Sequence, residues 1–155
     1  MKFNLFNEND TLTLAKKLAS VQPNCPFIVN IQGALGLGKS FLARAWLSEL
    51  GVSPPIPSPT FTLCEPYETV KGPMAHLDLY RLNYSCELDF IGIAEYSQTH
   101  GLLVEWPDRG GNFLSMPDLA IDLKMFREYR VAGLSASTAT GADWIDRFAG
   151  KISND

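Results

Sequence analysis

Gly33-Ala34-Leu35-Gly36-Leu37-Gly38-Lys39-Ser40 reads G-x-x-x-x-G-K-S, and these are the residue types that a bound triphosphate requires. Three glycines let the backbone turn tightly and aim successive N–H groups inward at phosphate oxygens. A helix after the loop presents its positive dipole end to the same anion. Lys39 is spaced to reach the β- and γ-phosphates, and the Ser40 hydroxyl to ligate Mg2+. The expected nucleotide contacts are Gly33, Leu35, Gly36, Leu37, Gly38, Lys39, Ser40 and Phe41. The competing reading is a glycine-rich turn before an ordinary helix.

Mg2+ beside such a loop usually takes a second carboxylate from the end of an apolar strand, and two acids qualify. Glu105 follows Leu102-Leu103-Val104, which places it at the carboxyl end of a buried strand, where α/β ligands collect. It is either near the metal or a salt-bridged strand-end acid. Asp78 sits between Leu77 and Leu79. It binds metal through water, orients the attacking water, or pairs with Arg81 or His76. Ser58 and Thr60 end a proline-rich loop; they fold over the γ-phosphate in the manner of a switch segment, or merely cap a turn. For Trp106 core packing is the default and a partner-facing role the alternative. Arg109 reads as a solvated loop arginine, with neutralisation of transition-state charge as the alternative, and His76 as a satisfied strand histidine.

These groups need elements to hold them. Phe27-Ile28-Val29-Asn30-Ile31 is a β-branched run between Pro26 and Gly33 and reads as a buried strand. Phe41 to Leu50, free of Gly and Pro, reads as the helix after the loop and stops at Gly51. Upstream, Asn9-Asp10-Thr11 offers capping chemistry to a helix over 9–21 with Leu12, Ala15, Leu18 and Ala19 on one face. Strands are predicted over 61–65 (closed by Pro66-Tyr67), 74–80, 101–107, 119–123 and 129–134, the last two as a possible hairpin. In 74–80, Ala75, Leu77 and Leu79 face one way and His76, Asp78 and Tyr80 the other. Helical turns are predicted over 86–98 and a short closing helix over 142–149. The loop 51–59, with four prolines, is too kinked for either. The expectation is an α/β, P-loop NTPase-like fold: one domain over 1–155, with a mixed central sheet flanked by helices.

Composition narrows the function class. A net charge of −4 argues against a stand-alone nucleic-acid binder, which needs a basic face. Cys25, Cys64 and Cys86 form no C-x-x-C and there are two histidines, so a zinc site is not expected and free thiols point to a reducing, cytosolic compartment. The N-terminus lacks the apolar core of a signal peptide, and no run approaches the ~18 apolar residues of a membrane span.

The motif order P-loop, Ser58-Pro59-Thr60-Phe61-Thr62-Leu63, His76-Leu77-Asp78-Leu79-Tyr80-Arg81-Leu82, Glu105-Trp106-Pro107 closely resembles the TsaE (formerly YjeE) family over roughly residues 9–123. The resemblance implies a weak ATPase that binds ATP and Mg2+. It also implies association with the TsaB and TsaD proteins, which modify adenosine 37 of tRNAs reading ANN codons, so that tRNA is met only through that complex. By the match, Ser40 and Glu105 are Mg2+ ligands, Asp78 and Thr60 belong to the hydrolytic machinery, and Thr11 lies near the nucleotide. The chain departs from the family in having Ala34 where Asp is usual and Leu37 where a small residue is usual. The rivals are a small-metabolite kinase, which needs an arginine-rich lid, and a nucleotide-gated binding module without significant catalysis.

Overall fold

Residues 1–152 are described by the structure, a computed structural model; the last three residues of the expected domain lie outside the described ones. Runs of four to eight residues become strands, the central ones apolar, and amphipathic runs become helices. In chain order these are β1 (Lys2–Leu5), α1 (Glu8–Ser20), β2 (Phe27–Gly33), α2 (Lys39–Glu49), β3 (Cys64–Thr69), β4 (Gly72–Asp78), α3 (Glu87–Phe90), α4 (Ile93–Thr99), β5 (Gly101–Glu105), β6 (Leu119–Phe126), β7 (Tyr129–Ala136) and α5 (Ala139–Ile152). They build one seven-stranded sheet in the order β1-β7-β6-β2-β5-β4-β3. The four middle strands β6, β2, β5 and β4 run parallel; antiparallel pairs close both edges. The expected mixed α/β architecture is therefore observed. No helix of the described residues is long and apolar enough to cross a membrane.

Each face of the sheet buries its own core. On one side Leu14 and Leu18 of α1, Leu42 and Trp46 of α2, and Trp144 and Phe148 of α5 pack on Phe27, Val29 and Ile31 of β2. On the other, Leu88 and Ile93 of the short α3 and α4 cover Ala75, Leu77, Leu102 and Val104. Asp118 ties three elements at one corner. Its carboxylate accepts from the Ile28 amide at 2.9 Å and from the Thr138 hydroxyl at 2.6 Å, and Thr138 in turn accepts from the Gly141 amide at the start of α5.

Several boundaries differ from the sequence reading. Helix α1 is capped by Asn7, which accepts from the Asp10 amide while Asp10 accepts from the Asn7 amide; Asn9 and Thr11 have no capping role. Strand β3 starts three residues later than the predicted 61–65 and contains Pro66 and Tyr67, which were expected to end it. It lies at the sheet edge, where a proline without an N–H costs no ladder bond. Residues 61–63 instead form a turn, with Leu63 left-handed at φ 64° and its amide donating to the Pro59 carbonyl. On the face of β4 that carries them, His76 and Asp78 are both buried, Asp78 at the wall of a cleft. Strand β5 ends at Glu105, and Pro107 opens a 3-10 segment over Pro107–Phe113. β1 was not foreseen: four residues long, it is a strand only because β7 offers it an edge.

The three thiols are unpaired and differ in environment. Burial, with the Glu65 charge adding to it, pushes the Cys64 thiol up to about 11, whereas Cys86 is exposed. Only the thiolate attacks disulfide reagents. Titration with Ellman's reagent near pH 8 should label Cys86 in the first phase and leave Cys64 largely intact until the pH nears 11 or denaturant is added. Equal rates at Cys64 and Cys86 in the native protein would contradict this.

Candidate functional site

The glycine-rich loop leaves β2 at Gly33 and enters α2 at Lys39. Gly33 stands at φ 143°, and a Cβ there would lie 2.6 Å from the Leu123 carbonyl of β6, so only glycine allows the loop to leave the sheet beside that strand. Gly38 is left-handed at φ 94° and has no side chain to cap the first turn of α2, whose leading N–H groups lack partners within the helix. Arg130 of β7 braces the loop from behind, donating to the Leu37 carbonyl and the Asn7 carbonyl, each at 3.3 Å. Lys39 is buried, 4% exposed. Its ammonium donates to the Gly33 and Ala34 carbonyls at 2.7 and 2.9 Å and lies 3.9 Å from the centre of the Trp106 ring. Burial lowers its pKa, while the charges of Glu105 and Asp78 work in the opposite direction.

Both candidate acids close parallel strands. Asp78 ends β4 and Glu105 ends β5, and the two are direct partners in the ladder; Glu105 is also opposite Ile31 of β2. Loop and acids thus meet at the carboxyl ends of the parallel strands, where an open α/β sheet has its crevice. The Ser40 hydroxyl donates to Glu105 Oε2 at 2.9 Å. His76 Nε2 lies 2.8 Å from Glu105 Oε1. Asp78 pairs with neither Arg81 nor His76; it accepts from the Thr60 hydroxyl at 2.8 Å and from the Tyr80 amide at 3.0 Å. Ser58 Oγ lies 2.8 Å from Thr60 Oγ1, so the end of the proline-rich loop is held against the acid.

These groups wall a cleft of about 360 Å3. Of the residues singled out in the sequence, Leu35, Gly36, Gly38, Lys39, Ser40, Phe41, Thr60, Asp78 and Glu105 line it. Gly33, Leu37 and Thr11 do not. Gly33 contributes its carbonyl to Lys39, Leu37 packs into the core, and Thr11 is buried in α1 with its hydroxyl unpartnered. Trp106 is half-buried: it packs against the second core, as expected, and also forms a wall of the cleft, at φ 56°, with its ring 5.0 Å from that of Tyr80. Arg44 and Arg81 also line the cleft, and sequence reasoning missed both. Arg44 carried a signal, since it stands one helical turn beyond Ser40 and its Nε donates to the Ser40 carbonyl. Arg109 is exposed, 5.4 Å from the Tyr80 ring centre.

The donor set is suited to magnesium. A hydroxyl and a carboxylate oxygen stand 2.9 Å apart at the cleft wall, with no cluster of three or more His, Cys, Asp or Glu among the described residues. Magnesium commonly takes one or two protein oxygens and fills its shell with water and phosphate.

Comparison with known proteins gives a consistent result. The sequence model of the family described as "Threonylcarbamoyl adenosine biosynthesis protein TsaE" matches residues 5–132. The tRNA threonylcarbamoyladenosine biosynthesis protein TsaE of Haemophilus influenzae is 32% identical over 148 residues, covering 92% of this chain and 94% of its own. That of Aquifex aeolicus is 38% identical over 108 residues, covering 68% and 75%. The crystal structure of YdiB from Bacillus subtilis superposes with a TM-score of 0.82 at 22% identity, over 98% of this chain and 95% of that one, and has the same fold.

Proposed function

The chain belongs to the TsaE family of threonylcarbamoyladenosine biosynthesis proteins, and on that premise we propose that it binds and hydrolyses ATP, with Mg2+, in the threonylcarbamoylation of adenosine 37 in tRNAs reading ANN codons. It acts in the cytoplasm as one folded domain beside the TsaB and TsaD proteins and meets tRNA through them. The observation that carries this reading is the 2.9 Å contact between Ser40 Oγ and Glu105 Oε2. It joins a phosphate loop to the end of a neighbouring strand and puts two hard oxygens beside Lys39.

The residues divide the work. Backbone N–H groups of Gly36 to Ser40 cradle the phosphates, and the Lys39 ammonium exchanges the Gly33 and Ala34 carbonyls for β- and γ-phosphate oxygens. Ser40 and Glu105 are the residues that would hold Mg2+, which when bound neutralises charge on the β- and γ-oxygens. Asp78, fixed by Thr60 and the Tyr80 amide, holds the attacking water in line; the bond from the γ-phosphorus to the ADP oxygen breaks as the water oxygen bonds. Positioning and charge neutralisation supply the acceleration, with little covalent work for the protein.

Replacing Glu105 with alanine should leave the fold in place, because the acid closes its strand at the cleft wall, at a lower melting midpoint because His76 loses its one partner. Mg2+-dependent phosphate release should fall by about 10²-fold or more, as for loss of a preorganised charged group. Steady-state phosphate release with circular dichroism as the folding control is the measurement. Unchanged turnover in Glu105→Ala would move the metal ligand to Asp78. The presence of Arg44 and Arg81 in the cleft keeps a second reading, a small-metabolite kinase, within the same test: phosphoryl acceptors added to the assay should not raise ATP consumption if water is the acceptor.

A further inference from the structure

His76 is fully buried in β4, opposite Leu103 in the ladder and diagonal to Glu105, a separation that long side chains span. Its Nε2 lies 2.8 Å from Glu105 Oε1, and its Nδ1 has no hydrogen-bond partner. Glu105 Oε2 accepts from the Ser40 hydroxyl. A carboxylate only accepts, so Nε2–H is the donor to Glu105, and Nδ1 is left without a partner inside the protein. A histidine kept for stability alone would satisfy both nitrogens, since a buried unpaired polar nitrogen is a cost that an apolar residue at this site would avoid. The worth of the ring therefore lies at Nε2.

We propose that His76 is a positioning residue: its Nε2–H pins the Glu105 carboxylate so that Oε2 stays on the Ser40 side, where the two oxygens would hold a divalent cation. This inference rests on the reading of the cleft as a magnesium–nucleotide site. Without the ring, Glu105 Oε1 loses its partner and the carboxylate is free to turn away from Ser40. Groups that orient metal ligands typically account for 10–100-fold in metal affinity.

The test is a Mg2+ titration of binding of a fluorescent N-methylanthraniloyl ADP, run beside a titration in EDTA and a thermal melt, on wild type, His76→Leu, His76→Asn and His76→Gln. The Gln amide reaches roughly where Nε2 sits; the shorter Asn amide does not. His76→Leu and His76→Asn should need about tenfold more Mg2+ for half-maximal effect, with nucleotide affinity in EDTA unchanged, and His76→Gln should stay close to wild type. If His76→Leu does not fold, the Asn and Gln pair decides. Wild-type Mg2+ requirement in all folded variants overturns the inference alone. So does equal loss of affinity with and without Mg2+, or failure of every variant to melt cooperatively, which would make the histidine structural. Wild-type protein that binds the nucleotide with no response to Mg2+ overturns the reading of the site, and this inference with it.

Discussion

Lys39→Ala is expected to lower ATP turnover by about 10²–10³-fold, the usual consequence of removing one preorganised donor from a transition state that spreads charge over phosphate oxygens. The geometry makes the loss specific. The ammonium is buried beside Glu105 and Asp78 and held by two loop carbonyls and the Trp106 ring. No other lysine lines the cleft, and Arg44 and Arg81 have their own contacts with the Ser40 carbonyl and the Phe61 ring. The thermal midpoint should stay near wild type, because burial already disfavours the charged form of Lys39 and alanine removes that cost along with the hydrogen bonds. Phosphate release and a melt measure the two effects, and nucleotide-dependent capture of TsaB and TsaD proteins by the same variant measures whether ATP governs association. A Lys39→Ala protein that turns over ATP like wild type would remove the loop from the mechanism.

Trp144→Ala should be the most damaging change to the fold. Trp144 lies in α5, beyond the stretch matched by the family model, yet its indole is fully buried. The ring meets Phe27 edge-on at 5.0 Å and Trp46 at 5.7 Å, and Nε1 donates to the Leu18 carbonyl. It therefore joins α1, α2, α5 and β2 at one point. Truncation empties that point and orphans a carbonyl, at a cost of about 3–5 kcal/mol. For a chain of this size that is a fall of roughly 10–15 °C in the unfolding midpoint. A variant that melts within a few degrees of wild type would mean that α5 is an appendage, not part of the core under the nucleotide loop.

The site was legible in the sequence to the extent that its residues are local. Gly33 to Ser40 carry their chemistry in one contiguous run, and the strand before and helix after follow from β-branched and amphipathic patterns. Glu105 was findable because an acid closing an apolar strand is an unusual placement with a known use, and Asp78 because it is an acid flanked by two leucines within a strand; that β4 ends at Asp78 was not. Illegible were features that depend on what lies across space. Pro66 was misread as a terminator because nothing local says that β3 is an edge, and β1 was missed because four residues become a strand only when β7 pairs with them. Trp106, Arg44 and Arg81 entered the site through the direction in which a left-handed residue, a helix turn and a strand-end loop point their side chains.

Residue type and short-range period by themselves determined that this protein has a glycine-rich loop of the phosphate-binding type, which strand and helix flank it, and that Glu105 stands at a strand end; that Asp78 closes its strand too was decided by the tertiary structure. The tertiary structure alone decided that β5 inserts between β2 and β4, which brings Glu105 to Ser40 and leaves Asp78 one strand further out with Thr60. It also decided that His76 sits beneath Glu105 with a single partner. Strand order and register are set by long-range pairing of backbones and by burial of both sheet faces, and neither energy is written in the spacing of neighbouring residues.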